Sequence, residues 1–209
     1  MATPPPLLPA RKSVRRAFLA FDEAAKKRKE QAQDVESNVR EAFDAHAKLR
    51  IAASADTRKV FVGTDDAEGC VAEVRKTFEE SLAHSAASAC DAVGRMIACE
   101  ARRTFGACVL EVEACVASLS PDSRASQPLF ETATAHRTLE LLQSMDAALD
   151  DDLKRHQDVA GAAKLLALDD DVDDEKEVLI AILRCGGSVP RELQQKIADY
   201  RLCEIKAAR

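Results

Sequence analysis

Apolar and small residues return along the first third of the chain at Val14, Phe18, Phe21, Ala25, Ala32, Val35, Val39, Ala42, His46, Leu49, Ala53 and Val60. The steps alternate three and four, with Arg28 and Asp56 in the two skipped places, which is the heptad spacing of a helix that packs along one seam. This predicts one long helix from Arg11 to Gly63, followed by a capping-box-like start at Asp65 and Glu68. A second stripe runs through Val71, Val74, Phe78, Leu82, Ala86, Ala89, Val93, Ile97, Ala101, Phe105, Val109, Val112, Val116 and Leu119. Its mean step lies close to the about 3.6 residues per turn of a straight helix. Two stripes of different period argue for a bundle of changing geometry rather than a uniform two-stranded supercoil.

Pro121 and the stretch Ser120 to Ser126 predict a loop, and Pro128 stands near the start of a third helix. That helix carries Leu139, Leu142, Met145, Leu149, Leu153, His156, Ala160 and Ala163 on one stripe and reaches about Leu168. The acidic run Asp169 to Asp174 interrupts the pattern and leads into a short helix ending at Arg184. Gly186 and Gly187 close that helix, Ser188 with Pro190 opens a last one, and Leu193, Ile197 and Tyr200 form its apolar stripe. Upstream, Pro4, Pro5, Pro6 and Pro9 predict an extended, disordered arm over residues 1–10.

The predicted fold is all-α: an elongated antiparallel helical bundle or coiled coil of three long helices plus two short C-terminal helices. Its parts are the Pro-rich arm (1–10), the long-helix bundle (11–168), and the acidic linker with the short helices (169–209). Seven glycines and seven prolines, four of the latter within the first nine residues, supply too few turns for a sandwich or barrel. The 38 alanines let helices approach closely but bury little apolar area per residue, so the pattern favours assembly with another chain.

Charge sharpens this picture. The net charge of -6 hides an uneven layout: eight basic residues oppose two acids from Arg11 to Lys29, and thirteen acids oppose four bases from Glu140 to Glu177. Such a molecule can attract an acidic partner to one end, or its own copies end to end, with a strength that salt weakens. The seven cysteines form no C-x-x-C pair and are odd in number, which fits free thiols in a reducing, cytoplasmic compartment. Helical spacing puts Cys90, Cys108 and Cys115 on one face and Cys99 on the opposite one, as small buried hydrophobes.

Catalytic and cofactor chemistry finds no pattern to stand on. His46, His84, His136 and His156 lack the spacing of a helix-bundle metal site. The run from Asp169 contains D-D-x-x-D, a magnesium-diphosphate spacing, yet it reads as a solvated linker. As a calcium loop it has Asp174 in place of glycine and Ile180 in place of the bidentate glutamate. Phosphate-cradling and nucleophile-elbow motifs are missing. The sequence therefore points to no enzyme, cofactor, metal or specific nucleic acid.

The candidate binding segment is Arg11 to Lys29. Val14, Phe18 and Phe21 share a face flanked by Arg11, Lys12, Arg15, Arg16, Lys26, Lys27, Arg28 and Lys29. A basic amphipathic helix of this kind docks on an anionic membrane or an acidic protein surface. The same residues equally fit the opening of the first bundle helix, and four basic residues before the first acid also fit a mitochondrial presequence. On the binding reading, replacing Phe18 and Phe21 together by Ser weakens attachment more than it lowers helix content. Pro6-Leu7-Leu8-Pro9-Ala10-Arg11 fits P-x-x-P-x-R, which resembles the polyproline ligands of SH3 domains.

At the other end, Leu193, Lys196, Ile197, Tyr200 and Arg201 loosely resemble the C-terminal helix by which ESCRT-III subunits engage their ATPase. Chain length, basic start and acidic later region are similar to that family as well. The resemblance implies a peripheral membrane-remodelling protein whose basic first helix contacts acidic lipid. The pattern as a whole predicts instead a non-enzymatic scaffold or tethering subunit of a larger intracellular assembly of cytoskeletal or trafficking type. It would bind protein partners by helix–helix contacts as a hetero- or homo-oligomer; an uncharacterised helical-bundle enzyme is the remaining alternative.

Overall fold

A computed structural model describes residues 7–54, 66–166 and 189–206. Among them the chain is an all-α helical bundle: α1 (Leu7–Ala53), α2 (Ala67–Ile97), α3 (Glu100–Ala117), α4 (Pro121–Ser126), α5 (Ala135–Leu166) and α6 (Arg191–Tyr200). A π-helical turn, Arg201–Lys206, continues α6. Gly63, the acidic run and the short helix expected to end at Arg184 lie outside the described residues.

Several elements differ from the sequence expectation for identifiable reasons. α1 already begins at Leu7, so the end of the expected arm is helical and Leu7 and Ala10 are buried. Pro9 sits in the first turn, where a backbone N–H has no intrahelical acceptor and its loss costs nothing. The SH3-ligand reading falls with it, because a helix cannot present a polyproline face. α2 is capped by Asp66, which accepts the Gly69 N–H at 2.9 Å. A Cβ at position 69 would meet that carboxylate, so any other residue there requires the Asp66 side chain to shift.

The expected second helix is broken between Ile97 and Glu100. Met96 is buried while Ile97 is exposed, and the next buried position is Ala101. A step of five residues turns the seam about 140° away on a continuous helix, and the break resets the phase. Ser120 and Pro121 do not form an open loop but cap and start α4. From α4, Arg124 donates to the carbonyls of Ala117 and Leu119, meeting acceptors that the end of α3 leaves without partners.

The third long helix starts at Ala135 rather than near Pro128. Residues 128–134 instead fold into a compact turn closed by Leu129 N–H to Ala133 O (2.8 Å) and Ala135 N–H to Gln127 O (3.2 Å). Pro128 cannot donate into a helix, and Thr134 caps α5 through the Arg137 N–H. The turn buries Leu129 and Phe130.

The chain divides into two compact units, neither contiguous in sequence: Met1–Arg28 with Ala98–Asp152 and Ser188–Arg209, and Lys29–Ile97 with Leu153–Gly187. In the first, Val14, Phe18 and Phe21 of α1 meet Phe105, Cys108 and Val112 of α3, Leu142, Met145 and Leu149 of α5, and the α6 stripe. In the second, Val35, Val39 and Phe43 of α1 pack on Ala89, Ala92 and Val93 of α2 and on Val159, Ala160 and Ala163 of α5. Aromatic and long aliphatic side chains hold the first core, whereas the second relies on close approach over alanine.

Of the six described cysteines only Cys108 is buried, and burial raises its thiol pKa; Cys70, Cys90, Cys99 and Cys115 are partly exposed and Cys203 is exposed. The expectation of buried cysteines thus holds for one side chain. Among the described residues no helix is long and apolar enough to cross a membrane.

Candidate functional site

The segment Arg11 to Lys29 splits into a buried and an exposed face. Val14, Phe18 and Phe21 belong to the core of the first unit, with Phe18 stacked on Tyr200 at 5.5 Å and Phe21 tilted against Phe105 at 5.5 Å. They cannot meet a partner without unpacking that core. Arg28 is also buried: it donates to the carbonyl of Leu149, lies 3.6 Å from Asp152, and has its pKa lowered by burial, against the opposing pull of Asp152. Its place in the skipped seam position explains this, and it leaves the set of surface cations.

Other basic residues have internal work as well. Arg11 donates to the carbonyls of Leu129 and Phe130 and lies over the Phe130 ring. Arg16 is 3.8 Å from Glu111, and Lys27 pairs with Glu23 at 2.8 Å. Lys12, Lys26 and Lys29 are exposed, and Lys12 and Lys26 have no ion pair or hydrogen bond among the described residues. Arg15 is exposed too and lies over the Phe130 ring.

At the C-terminus, Leu193, Ile197 and Tyr200 are buried against α1, α5 and the 128–134 turn, so the stripe is spent within the chain. Tyr200 shares a 2.6 Å hydrogen bond with Thr138 Oγ1, and burial raises its phenol pKa. The π turn brings Glu204 to the 128–134 turn, where it accepts the N–H groups of Glu131 and Thr132, each at 2.9 Å, and the Thr132 hydroxyl. Burial alone would raise the Glu204 pKa, but these donors outweigh it and hold the carboxyl below its ordinary value.

A depressed carboxyl pKa stabilises the fold above the unfolded-state value and ceases to do so as pH falls through the folded one. Glu204→Gln is therefore expected to cost about 1–3 kcal/mol at neutral pH. It should also flatten the acid limb of the melting-temperature profile. A variant melting curve parallel to the wild type throughout that limb would refute the role given to this carboxylate.

Two features were not foreseen. The first is an outer stripe on α1 formed by Leu8, Lys12, Arg15, Leu19 and Lys26, with Leu8 53 % and Leu19 71 % exposed. At about 100° per residue the stripe lies nearly opposite the centre of the buried face. A helical wheel contains the signal, but exposed single leucines are ordinary on surfaces and do not draw notice alone.

The second is an open groove of about 500 Å³ between α3 and α5, lined by Arg102, Gly106, Val109, Leu110 and Glu113 on one side and Gln143, Asp146, Ala147 and Asp150 on the other. Arg102 bridges its walls through Asp146 (2.8 Å) and Asp150 (2.7 Å), and Gln143 donates to Glu113 at 2.7 Å. One cation faces three carboxylates, so the groove is acidic, and Leu110 stands 66 % exposed at its edge.

Among the described residues no three His, Cys, Asp or Glu side chains gather as metal ligands would. The described surface carries exposed leucines beside charged side chains, on the outer face of α1 and at the edge of the α3–α5 groove. No protein-family model, curated protein or solved structure matches this chain.

Proposed function

We propose that the protein is a non-enzymatic helical scaffold or tethering subunit that joins a larger assembly by helix-on-helix contact through the outer face of α1. The observation that carries this is the stripe of Leu8 and Leu19 set among Lys12, Arg15 and Lys26, outside a first-unit core that is already closed. Two leucines three turns apart supply an apolar contact favoured by their removal from water, and cations beside them that have no ion pair among the described residues select an acidic partner and set its orientation. The free thiols support a reducing compartment for that assembly.

Mild cross-linking in the protein's own cells, followed by purification and quantification of both self and foreign chains, tests the reading. The wild type should emerge in a fixed stoichiometry, and Leu8→Ser with Leu19→Ser should reduce that recovery about tenfold with helix content unchanged. Recovery unaffected by the two substitutions would remove α1's outer face from the function. Loss of sedimentation with anionic vesicles, with the protein assembly intact, would instead favour the membrane-remodelling alternative.

A further inference from the structure

We infer that the occupant of the acidic α3–α5 groove is the basic outer stripe of α1 from a second copy of this chain. The inference rests on the scaffold reading and names its partner. Both surfaces belong to the same compact unit, so their relation is fixed by one core. Within that unit α1, α3 and α5 touch pairwise, through Phe21 and Phe105, Arg102 and Asp146, and Arg28 and the Leu149 carbonyl.

Three mutually packed helices leave three outer grooves, and these are not equivalent. Between α1 and α5 the C-terminal helix is seated, with Tyr200 stacked on Phe18 and bonded to Thr138. Across the α1–α3 side Ser13 and Arg16 of α1 meet Glu111, so charge is balanced there where the α3–α5 groove keeps an acidic excess. Between α3 and α5 no helix is seated among the described residues, although the groove has the same makings: an exposed leucine, a floor of Val109 and Gly106, and polar margins.

The stripe and the groove match in length, sign and texture. Leu8 to Leu19 and Arg102 to Glu113 each span three helical turns, about 16 Å. Lys12, Arg15 and Lys26 carry positive charge without an ion pair among the described residues, while Glu113, Asp146 and Asp150 leave the groove negative after Arg102 is counted. The two acids that fall between Leu8 and Lys26 do not cancel the stripe, because Asp22 is held by Arg201 at 2.6 Å and Glu23 by Lys27 at 2.8 Å. Leu8, Leu19 and Leu110 are among the most exposed large apolar side chains described. Apposition across copies would bury all three.

In a three-helix bundle the outer face of one helix points away from the groove between the other two. The stripe and groove therefore face opposite directions, and docking one into the other is heterologous: each copy offers a free stripe at one side and a free groove at the other. Such contacts give a series of head-to-tail oligomers rather than a closed dimer.

Charge reversal tests this with full-length chain in sedimentation velocity over a concentration series. The wild type should form a growing series of species that dissociates as salt is raised. Lys12→Glu with Arg15→Glu gives two acidic surfaces, Glu113→Lys with Asp150→Lys gives two basic ones, and each variant alone should associate about tenfold or more weakly. Mixed in equal amounts, the two variants should alternate and recover association to near the wild-type level. Circular dichroism shows whether each variant keeps its helix content.

A wild type that stays monomeric at low salt, variants that associate as it does, or a mixture that fails to recover would each overturn the inference. The scaffold reading survives those results if the cellular assembly still depends on Leu8 and Leu19, and falls with them if it does not. Retained self-association in the Lys12→Glu/Arg15→Glu variant, with loss of binding to phosphatidylserine vesicles, assigns the stripe to an anionic membrane instead.

Discussion

Phe18→Ser combined with Phe21→Ser is expected to unfold the first unit, so that helix content, cooperativity of melting and any partner binding disappear together. Phe18 and Phe21 are each 4 % exposed and engage Tyr200 and Phe105 respectively. A single buried Phe→Ala change costs about 3–5 kcal/mol, and a serine hydroxyl without a partner in the same cavity costs more. Against a typical stability of about 5–15 kcal/mol, the two losses leave little. The sequence-based expectation that these residues serve attachment before stability is thereby reversed. Leu8→Ser with Leu19→Ser is the contrast, since exposed positions change stability by about 0.5 kcal/mol or less. Thermal melts followed by circular dichroism decide between the two: a double phenylalanine variant that melts within a few degrees of the wild type returns Val14, Phe18 and Phe21 to the surface.

The reversal shows where sequence pattern stops. Spacing of three and four located the α1 and α5 seams and the α6 stripe because large side chains recur there at the helical period. It could not say what the α1 seam faces, since Phe105 and Tyr200 lie far along the chain and an amphipathic helix looks the same against a partner or its own core. The break after Ile97 was hidden because Val93, Ile97 and Ala101 step by four and draw an unbroken stripe, although the buried side chain there is Met96 and Ile97 is exposed. The 128–134 turn was missed because Leu129 and Phe130 resemble the opening of a helix when Pro128 precedes them. The α3–α5 groove exists only where two helices distant in sequence come side by side, which no local pattern encodes. Arg28 is the opposite case: the heptad frame put it on the seam, but its basic neighbours Lys26, Lys27 and Lys29 made it resemble the surface.

That buried arginine leads to the second large effect: Asp152→Ala should lower stability by about 3–5 kcal/mol, far more than a 3.6 Å approach to Arg28 suggests. Removal of the carboxylate leaves a guanidinium only 6 % exposed with the Leu149 carbonyl as its acceptor. A lysine or histidine so placed could shed its proton, but arginine keeps its charge in proteins and must bear the full desolvation cost. Arg28→Met together with Asp152→Leu removes both charges and fills the same space with apolar atoms, and should recover most of the loss. Recovery would show that the pair is retained for something other than stability, and the seam position suggests what. A charge at one place in an otherwise apolar frame penalises any register that does not bring it to Asp152 and the Leu149 carbonyl, in the way a single polar seam residue fixes register in coiled coils. Urea unfolding at neutral pH measures all three variants, with Arg28→Met completing the cycle that isolates the coupling. An Asp152→Ala midpoint indistinguishable from the wild type would mean that water reaches the guanidinium, and the pair would then carry neither stability nor register.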